Sequence, residues 1–571
     1  MKDSSGDNQV MSPIKRKFWP KGVPANGSVP QVTLPHYLET AALRYPDKAA
    51  IIYCGRHISY RELRQHVHAM AGFLQQKMQL ARGDRVLLMS QNCPQFVIAF
   101  YAVLQLGAVV VPVNAMCTTS EIQHYMDDSG ARFAFVAQEL LKQVVPCMQS
   151  NREDGLRHVM VHSYHDFVED LADPDLPDFV RQHSDLALSD GMVAFSEALQ
   201  AGLSAGAVQT YPDDFCVLPY TSGTTGKPKG CIHTHATLLA SLVNSAIWRN
   251  LHAESVMLSV APMFHMLGMQ NGMNMPIMLG GTVVMMPRWN ADLALKLMEK
   301  HRVSVWTAPP AMVLDCFSQP SADQRDLSSL ALLSGGGAAM PEAIAAMLKT
   351  RFGIVYNEGY GMTETASFLH CNPLEHSKRQ CLGIPTQGVD SRIVDPGTLQ
   401  ELSQGEVGEL ITSGPQVMKG YWQNEQANQE SFLERDGRVF FRTGDLARID
   451  EEGYFFMCDR LKRMINVSGY KVWPSEVENT FYDHPAVHEV CIVGIQDSVK
   501  GEVVKALVVL KPEYKGQLSE RDLIAWAREN MAVYKAPRLL EFVEKLPKSN
   551  TGKIMWRKLQ ADQNNITGEK V

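Results

Sequence analysis

The eleven residues Tyr220-Thr221-Ser222-Gly223-Thr224-Thr225-Gly226-Lys227-Pro228-Lys229-Gly230 hold three glycines, four serine or threonine hydroxyls and two lysines. Glycines let the backbone come close to a ligand and turn its N–H groups toward an anion. Hydroxyls add donors that pivot, and lysines add charge without fixed geometry. Such a loop suits a polyphosphate, although a basic surface loop has the same composition. It is not a Walker loop: only two residues separate Gly223 from Gly226, and Pro228 follows Lys227 where a helix would have to begin. Further along, Gly335-Gly336-Gly337-Ala338 follows an apolar run. Small residues after a strand admit a flat ring, or simply make a tight turn into a helix at Pro341. In Asn357-Glu358-Gly359-Tyr360-Gly361-Met362-Thr363-Glu364-Thr365, Tyr360 offers an aromatic face and Glu364 a hard oxygen of the kind Mg²⁺ takes beside phosphates. Asp445, in Arg442-Thr443-Gly444-Asp445, can accept from two ribose hydroxyls or cap a turn.

In this order, the segments resemble the adenylate-forming enzymes: acyl-CoA synthetases, firefly luciferases and the adenylation domains of peptide synthetases. The resemblance runs from about residue 35 to 558. It implies that Thr221, Ser222, Gly223, Thr224, Thr225, Gly226, Lys227 and Lys229 hold the phosphates of ATP. It implies that Gly336, Gly337, Ala338, Glu358, Gly359, Tyr360, Gly361 and Met362 surround the adenine. Thr363 would bond the α-phosphate, Glu364 with Thr224 would hold Mg²⁺, and Asp445 with Arg460 would hold the ribose. Lys462 matches a hinge about which a small domain turns, although Arg463 stands where bacterial synthetases commonly carry an acid. Ser468, Gly469 and Tyr470 match the pantetheine channel for coenzyme A, where relatives are more basic just before the glycine. Lys553 matches the lysine that bridges the acid and the α-phosphate.

The chemistry that follows is activation of a carboxylate. Attack on a carboxylate piles charge onto an anion; an acyl-adenylate makes AMP the leaving group, after which a thiol attacks. Joining two anions calls for positioning and charge neutralisation. The expected reaction is therefore ATP-dependent acid–CoA ligation, with an adenylating module for a separate carrier protein or a luciferase-like oxygenase as the alternatives. Ala261-Pro262-Met263-Phe264-His265-Met266-Leu267-Gly268-Met269 is similar to the segment lining the acyl site, so His265, Met266, Met269, Trp306 and Gly335 are its expected lining. Amino-acid-activating domains carry Asp where His265 stands, which disfavours an amino-acid substrate. Met269, Met273, Met275, Ile277 and Met278 fit a flexible alkyl chain, or fill a helix core. A medium- or long-chain fatty acid is the expectation, with an aryl or branched acid behind it.

Positioning these residues takes more than one core, because 571 residues exceed what a single core supports. A net charge of -7 argues against a nucleic-acid binder, and 11 scattered cysteines without a CxxC pair point to a reducing, cytoplasmic setting. The N-terminus lacks the apolar core of a signal peptide, and the C-terminal Glu569-Lys570-Val571 is no peroxisomal address. Lys15-Arg16-Lys17-Phe18-Trp19 reads as a tail folded back on the domain, with at most peripheral membrane contact. A homodimer is among the assemblies the resemblance allows. Ser59-Tyr60-Arg61-Glu62 predicts a capping box opening a helix, 85–89 a strand, 94 onward a helix, and 108–111 a second buried strand: a parallel crossover unit. Residues 150–211 read as an irregular excursion; strands are expected at 255–260, 282–286, 303–306 and 330–334, with a helix at 291–301. Turn signals from 388 suggest a small β-barrel, and 459–571 mixes strands with helices. The fold class is α/β. After a 1–34 tail comes a large 35–458 AMP-binding domain of layered α/β subdomains, with a β-rich part at 388–458. A smaller mobile α+β domain, 459–571, follows a hinge at 459–463.

Overall fold

The structure is a computed structural model and describes residues 17–148, 155–182, 188–221, 228–467, 470–497, 501–548 and 554–568. The chain falls into two compact units, Met1–Asp390 with Ser413–Val439, and Ser391–Thr412 with Phe440–Val571.

Among the described residues the first unit carries two largely parallel sheets. One runs His233–Thr234, Phe215–Val217, Val109–Val113, Arg85–Met89, Phe133–Ala137, His158–His162, Met192–Ala194. The other runs Ile384–Pro385, His370–Cys371, Tyr356–Tyr360, Leu332–Gly335, Val305–Thr307, Val256–Ser259, Thr282–Met285, Ala49–Tyr53, Arg56–Ser59. Val109–Val113 is buried at every position, as expected of a parallel strand covered on both faces. Pro94 starts the helix Pro94–Gln105 at a position where its missing N–H costs nothing. That helix is buried nearly all round and shares one hydrophobic cluster with Tyr60–Gln76 and strands of both sheets.

Ser59 caps Tyr60–Gln76 by accepting from the Glu62 N–H at 3.1 Å, but the Glu62 carboxylate goes to Arg56 (2.7 Å), so only half of the expected box forms. The irregular reading of 150–211 is corrected: His158–His162 and Met192–Ala194 extend the first sheet in parallel. Their short apolar cores are flanked by polar residues, which hid them from a periodicity argument. The tail does fold back. Trp19 meets Trp248 edge-on at 5.0 Å, Phe18 lies 5.2 Å from His376, and Gly388 donates to the Ala25 carbonyl (3.0 Å). No helix among the described residues is long and apolar enough to cross a membrane, and all 11 cysteines are free thiols.

In the second unit, Asp390–Val394, Gly408–Ser413, Arg438–Ile449 and Phe455–Arg460 form an antiparallel sheet. A further sheet is built on the long hairpin Val487–Asp497/Gly501–Leu510. Alternation sorts its two faces: Val490, Ile492, Val504, Ala506 and Val508 pack with Val477, Phe481 and Leu523 of two helices. Cys491, Val493, Ile495, Val503 and Leu507 pack with Trp556 and Leu559 of the last helix. Residues 391–412 and 440–458 pack with this C-terminal unit rather than with the first. A physical tie is Ser475, whose N–H and hydroxyl both donate to Asp459 Oδ2 at 2.8 and 2.9 Å, joining the strand Phe455–Arg460 to the helix Pro474–Tyr482.

Candidate functional site

Tyr220–Thr221 pairs antiparallel with Lys229–Gly230, Thr221 opposite Lys229, which brings the two ends of the glycine-rich loop together. Thr221 and Lys229 are thereby placed at its mouth; Ser222, Gly223, Thr224, Thr225, Gly226 and Lys227 lie outside the described residues, as do Ser468, Gly469 and Lys553. Tyr220 is anchored beneath by its hydroxyl donating to Asp128 Oδ2 (2.6 Å) and by the Tyr125 ring at 4.7 Å. A distant segment then zips onto this ladder. Ile232 donates to the Gly420 carbonyl (2.9 Å), Lys419 to Ile232 (2.9 Å) and Trp422 to Gly230 (2.8 Å). The Lys229 ammonium sits 4.9 Å over the Tyr421 ring.

Leu332–Gly335 and Tyr356–Tyr360 run parallel with Gly335 beside Glu358, so their carboxyl ends open at one edge, where ligands bind in such sheets. The glycines are there for lack of space. A Cβ on Gly335 would lie 2.0 Å from the Ala308 carbonyl, and one on Gly336 2.3 Å from the Gly359 carbonyl. Gly337 and Ala338 are exposed, forming an open rim. Glu358 accepts from the Met340 N–H at 2.9 Å, which ties that rim to the strand; burial raises its carboxyl above the usual range. Tyr360 is half-buried, 5.6 Å from His370.

After Gly361 the chain makes one tight turn, Thr363–Thr365, and returns through Ala366 (φ 51) and Ser367 (φ 80), two non-glycine residues in the left-handed region. The return passes so close that a Cβ on Gly361 would stand 1.3 Å from the Ser367 carbonyl oxygen. Gly361→Ala is therefore expected to destabilise the protein by about 3 kcal/mol, the upper end for overpacking, and to abolish nucleotide binding. Unchanged melting temperature and unchanged ATP titration would refute this.

Two side chains that the sequence reading missed hold this turn. His233 Nε2 donates to the Thr363 carbonyl at 2.7 Å, a contact that fixes the tautomer because a carbonyl only accepts; its Nδ1 lies 3.1 Å from Thr237 Oγ1. The Tyr421 hydroxyl donates to Glu364 Oε1 at 3.0 Å, and Met418 N–H donates to the Glu364 carbonyl at 2.8 Å. Glu364 is 7% exposed. Among the described residues no three His, Cys, Asp or Glu gather as a metal cage. One buried, oriented carboxylate fits Mg²⁺, which takes most of its ligands from water and substrate phosphates.

Burial pushes His233 and His235 down to about 4, and His162 to about 3. The ordinary value is 6.5, so between about pH 6.5 and 4 the unfolded chain binds protons that the folded chain refuses. Stability is thus full above pH 6.5 and falls as pH drops through that window. Each ring contributes roughly 3 kcal/mol to the loss. Melting temperature should fall steeply below about pH 6.5, and His233→Asn should flatten the slope; an acid-independent melting curve would contradict it.

The segment after His265 is a helix over Met266–Met269 and Met275–Leu279 with a π turn, Gln270–Asn274, between them. Such turns occur often at functional sites. It is pressed onto the sheet: a Cβ on Gly268 would meet the Pro262 carbonyl at 2.2 Å, and one on Gly272 the Ser259 hydroxyl at 2.4 Å. A narrow cleft between helix and sheet is lined by Ser259, Ala261, Leu267, Asn271, Val305 and Thr307, among others. His265 is exposed at the helix start with its ring 4.7 Å from Phe264. Met266 and Met269, like Met273, Met275 and Ile277, are buried in the main core, so the methionines here fill space within the protein. Trp306 lies on the other face of its strand, stacked on Trp289 at 5.7 Å in the second core, because alternation gives the cleft to Val305 and Thr307. Gly335 is likewise outside the lining. This cleft is thus lined by the adjoining Leu267, Asn271 and Gly272 and not by Met266, Met269, Trp306 or Gly335.

In the second unit, Asp445 and Arg460 face each other across paired strands, Arg460 Nε to Asp445 Oδ1 at 3.0 Å, with Asp445 1% exposed. Lys462 is exposed, in the turn Leu461–Arg463. Arg463, the departure from the bacterial pattern, forks onto Glu478 (Nη1 to Oε2 at 3.2 Å), whose other oxygen accepts from Ile492 N–H at 2.9 Å. Tyr470 is exposed and stacked on Tyr534 at 4.9 Å.

The chain is similar to known proteins over most of its length. The AMP-binding enzyme family profile matches residues 38–422, and the AMP-binding enzyme C-terminal domain matches 476–553. A long-chain-fatty-acid–CoA ligase of Bacillus subtilis is 33% identical over 554 residues, covering 95% of this chain and 97% of that one. A feruloyl-CoA synthase of Amycolatopsis is 33% identical over 512 residues, covering 89% and 95%. The ATP-bound structure of MatB from Rhodopseudomonas palustris superposes with a TM-score of 0.81 at 25% identity, covering 94% and 100%.

Proposed function

The chain belongs to the AMP-binding enzyme family and is an AMP-forming acyl-CoA synthetase, and from that premise we propose that its acid is a medium- or long-chain fatty acid. The reading is supported by the names of relatives that span nearly the whole chain. The feruloyl-CoA synthases among them support the aryl acid as the second reading. The observation that carries the chemistry is the Thr363–Glu364 turn: a buried carboxylate aimed by Tyr421, backbone fixed by His233, beside the mouth of the glycine-rich loop.

In the first step a carboxylate oxygen of the acid attacks the α-phosphorus of ATP and pyrophosphate leaves. In the second, the thiol of coenzyme A attacks the acyl carbon and AMP leaves. Thr221, Lys229 and residues 222–227 would take the phosphates; Gly336, Gly337, Ala338 and Tyr360 would hold the adenine, and Asp445 with Arg460 the ribose. Glu364, with Thr224, would hold Mg²⁺, which supplies positive charge to the phosphates. Lys553 would bridge the acid and the α-phosphate. Lys462 would serve as the hinge for a domain swing that clears Lys553 and brings Ser468, Gly469 and Tyr470 to the thiol's path. A cytoplasmic enzyme with at most peripheral membrane contact is the accompanying reading, a homodimer being among the assemblies it allows. ATP–pyrophosphate exchange over a panel of alkyl and aryl acids, followed by coenzyme A and scoring of thioester, tests this. Exchange with fatty acids and thioester formation is the expected result. Exchange without thioester would point to a carrier-loading module, and exchange only with aryl acids would select the second reading.

A further inference from the structure

The strand Gly408–Ser413 pairs antiparallel with Arg438–Ile449, Glu409 opposite Leu446 and Ile411 opposite Arg442. Leu410 alone therefore faces three residues, Thr443, Gly444 and Asp445, a bulge with two more than regular pairing would set there. Gly444 has φ 68, a left-handed conformation that glycine takes without strain. Side chains hold the bulge at both ends. Thr443 Oγ1 donates to the Leu410 carbonyl at 2.7 Å and accepts from the Asp445 N–H at 3.1 Å. Arg442, the residue before the bulge, forks onto Glu409: Nη2 donates to Oε2 at 2.6 Å, and Nε to Oε2 at 3.1 Å and Oε1 at 3.3 Å. Glu409 is 2% exposed. On its other side the bulged strand pairs with Phe455–Arg460, and that ladder sets Asp445 directly opposite Arg460.

A buried ion pair adds little net stability over apolar packing of the same volume, so stability alone does not account for this one. A forked pair does fix geometry as well as charge. Bulges recur beside active sites, where they re-aim a side chain. Here the side chain is Asp445: one-for-one pairing continued from Ile411 and Arg442 would set it opposite Gly408, where Ala447 now stands. We propose that Thr443 and the Glu409–Arg442 pair are positioning residues for nucleotide recognition, holding the bulge that presents the Asp445 carboxylate to the 2′- and 3′-hydroxyls of the ribose. The inference rests on the reading of Asp445 and Arg460 as the ribose site. None of the three residues touches the nucleotide in this scheme; each acts through the backbone at Asp445. Discrimination between a ribose and its deoxy forms is then set by what holds the acceptor as well as by the acceptor itself.

The test is the dissociation constant of ATP against those of 2′-deoxy-ATP and 3′-deoxy-ATP, measured by calorimetric titration of the full chain, with melting temperature followed alongside. Wild type should bind ATP more tightly than at least one deoxy form by about 10–100-fold, the range of a hydrogen bond to a charged group. Asp445→Ala should bring that ratio close to one. Thr443→Val, which keeps the shape and removes the hydroxyl, should lower the ratio about 10-fold by weakening ATP and leaving the deoxy forms nearly unmoved. Thr443→Ser, which keeps the hydroxyl, should restore it. Glu409→Gln should lower the ratio several-fold, and carries the test if Thr443→Val does not fold. A ratio that Asp445→Ala abolishes but Thr443→Val and Glu409→Gln leave unmoved, whatever the melting temperature does, overturns the proposal and leaves both as supports of the sheet. A serine variant as impaired as the valine one overturns the part given to the hydroxyl. No preference for ATP in the wild type, or one that survives Asp445→Ala, overturns the ribose reading and this assignment with it.

Discussion

Replacing Lys553 with alanine is expected to slow formation of the acyl-adenylate by about 10²–10³-fold, the loss seen when one preorganised donor to a developing charge is removed. The first half-reaction brings a carboxylate against a triphosphate, and an ammonium placed between them offsets that repulsion. The second half-reaction has a neutral acyl carbon and a good leaving group, so the same variant should convert supplied acyl-adenylate and coenzyme A to thioester at close to the wild-type rate. Measuring pyrophosphate exchange and thioester release separately distinguishes the two. Equal loss in both would mean that Lys553 holds the fold or the nucleotide in general, and the assigned division of labour would fail.

Glu364→Gln should be as damaging, about 10³-fold in adenylation at ordinary Mg²⁺. Glutamine keeps an oxygen that can accept from the Tyr421 hydroxyl, so the turn should survive; what goes is the charge. The loss should shrink as Mg²⁺ is raised, and the Mg²⁺ concentration giving half-maximal rate should rise. Tyr421→Phe, which leaves the carboxylate in place and removes the hydroxyl that donates to it, should cost about 10-fold. A Glu364→Gln enzyme with wild-type Mg²⁺ dependence would remove the metal from that residue.

Much of the site was legible because its chemistry is local. The glycines at 335, 336 and 361 stand where neighbouring backbones leave no room for a Cβ, and the chain advertises such places by composition alone. Outside 150–211, the strand and helix order of the first unit was readable from buried apolar runs such as Arg85–Met89 and from Pro94 at a helix start. In the second unit, the alternation along Val487–Asp497 and Gly501–Leu510 sorts two faces, while their pairing as a hairpin came from the structure.

What the sequence determined by itself is therefore the set of short-range demands: which residues can lie beside a phosphate, where a turn excludes a side chain, and which runs must be buried strands. Tertiary structure alone decided the partners. His233 meets Thr363 across 130 residues, Tyr421 meets Glu364 across 57, and Arg249 meets Asn271 across 22. It also decided which face of Val305–Thr307 turns to the cleft beside the π turn, because a three-residue strand has no pattern long enough to set its phase. Hydrogen bonds and packing between distant segments depend on how sheets stack and helices cross, and no local run of residues carries that information.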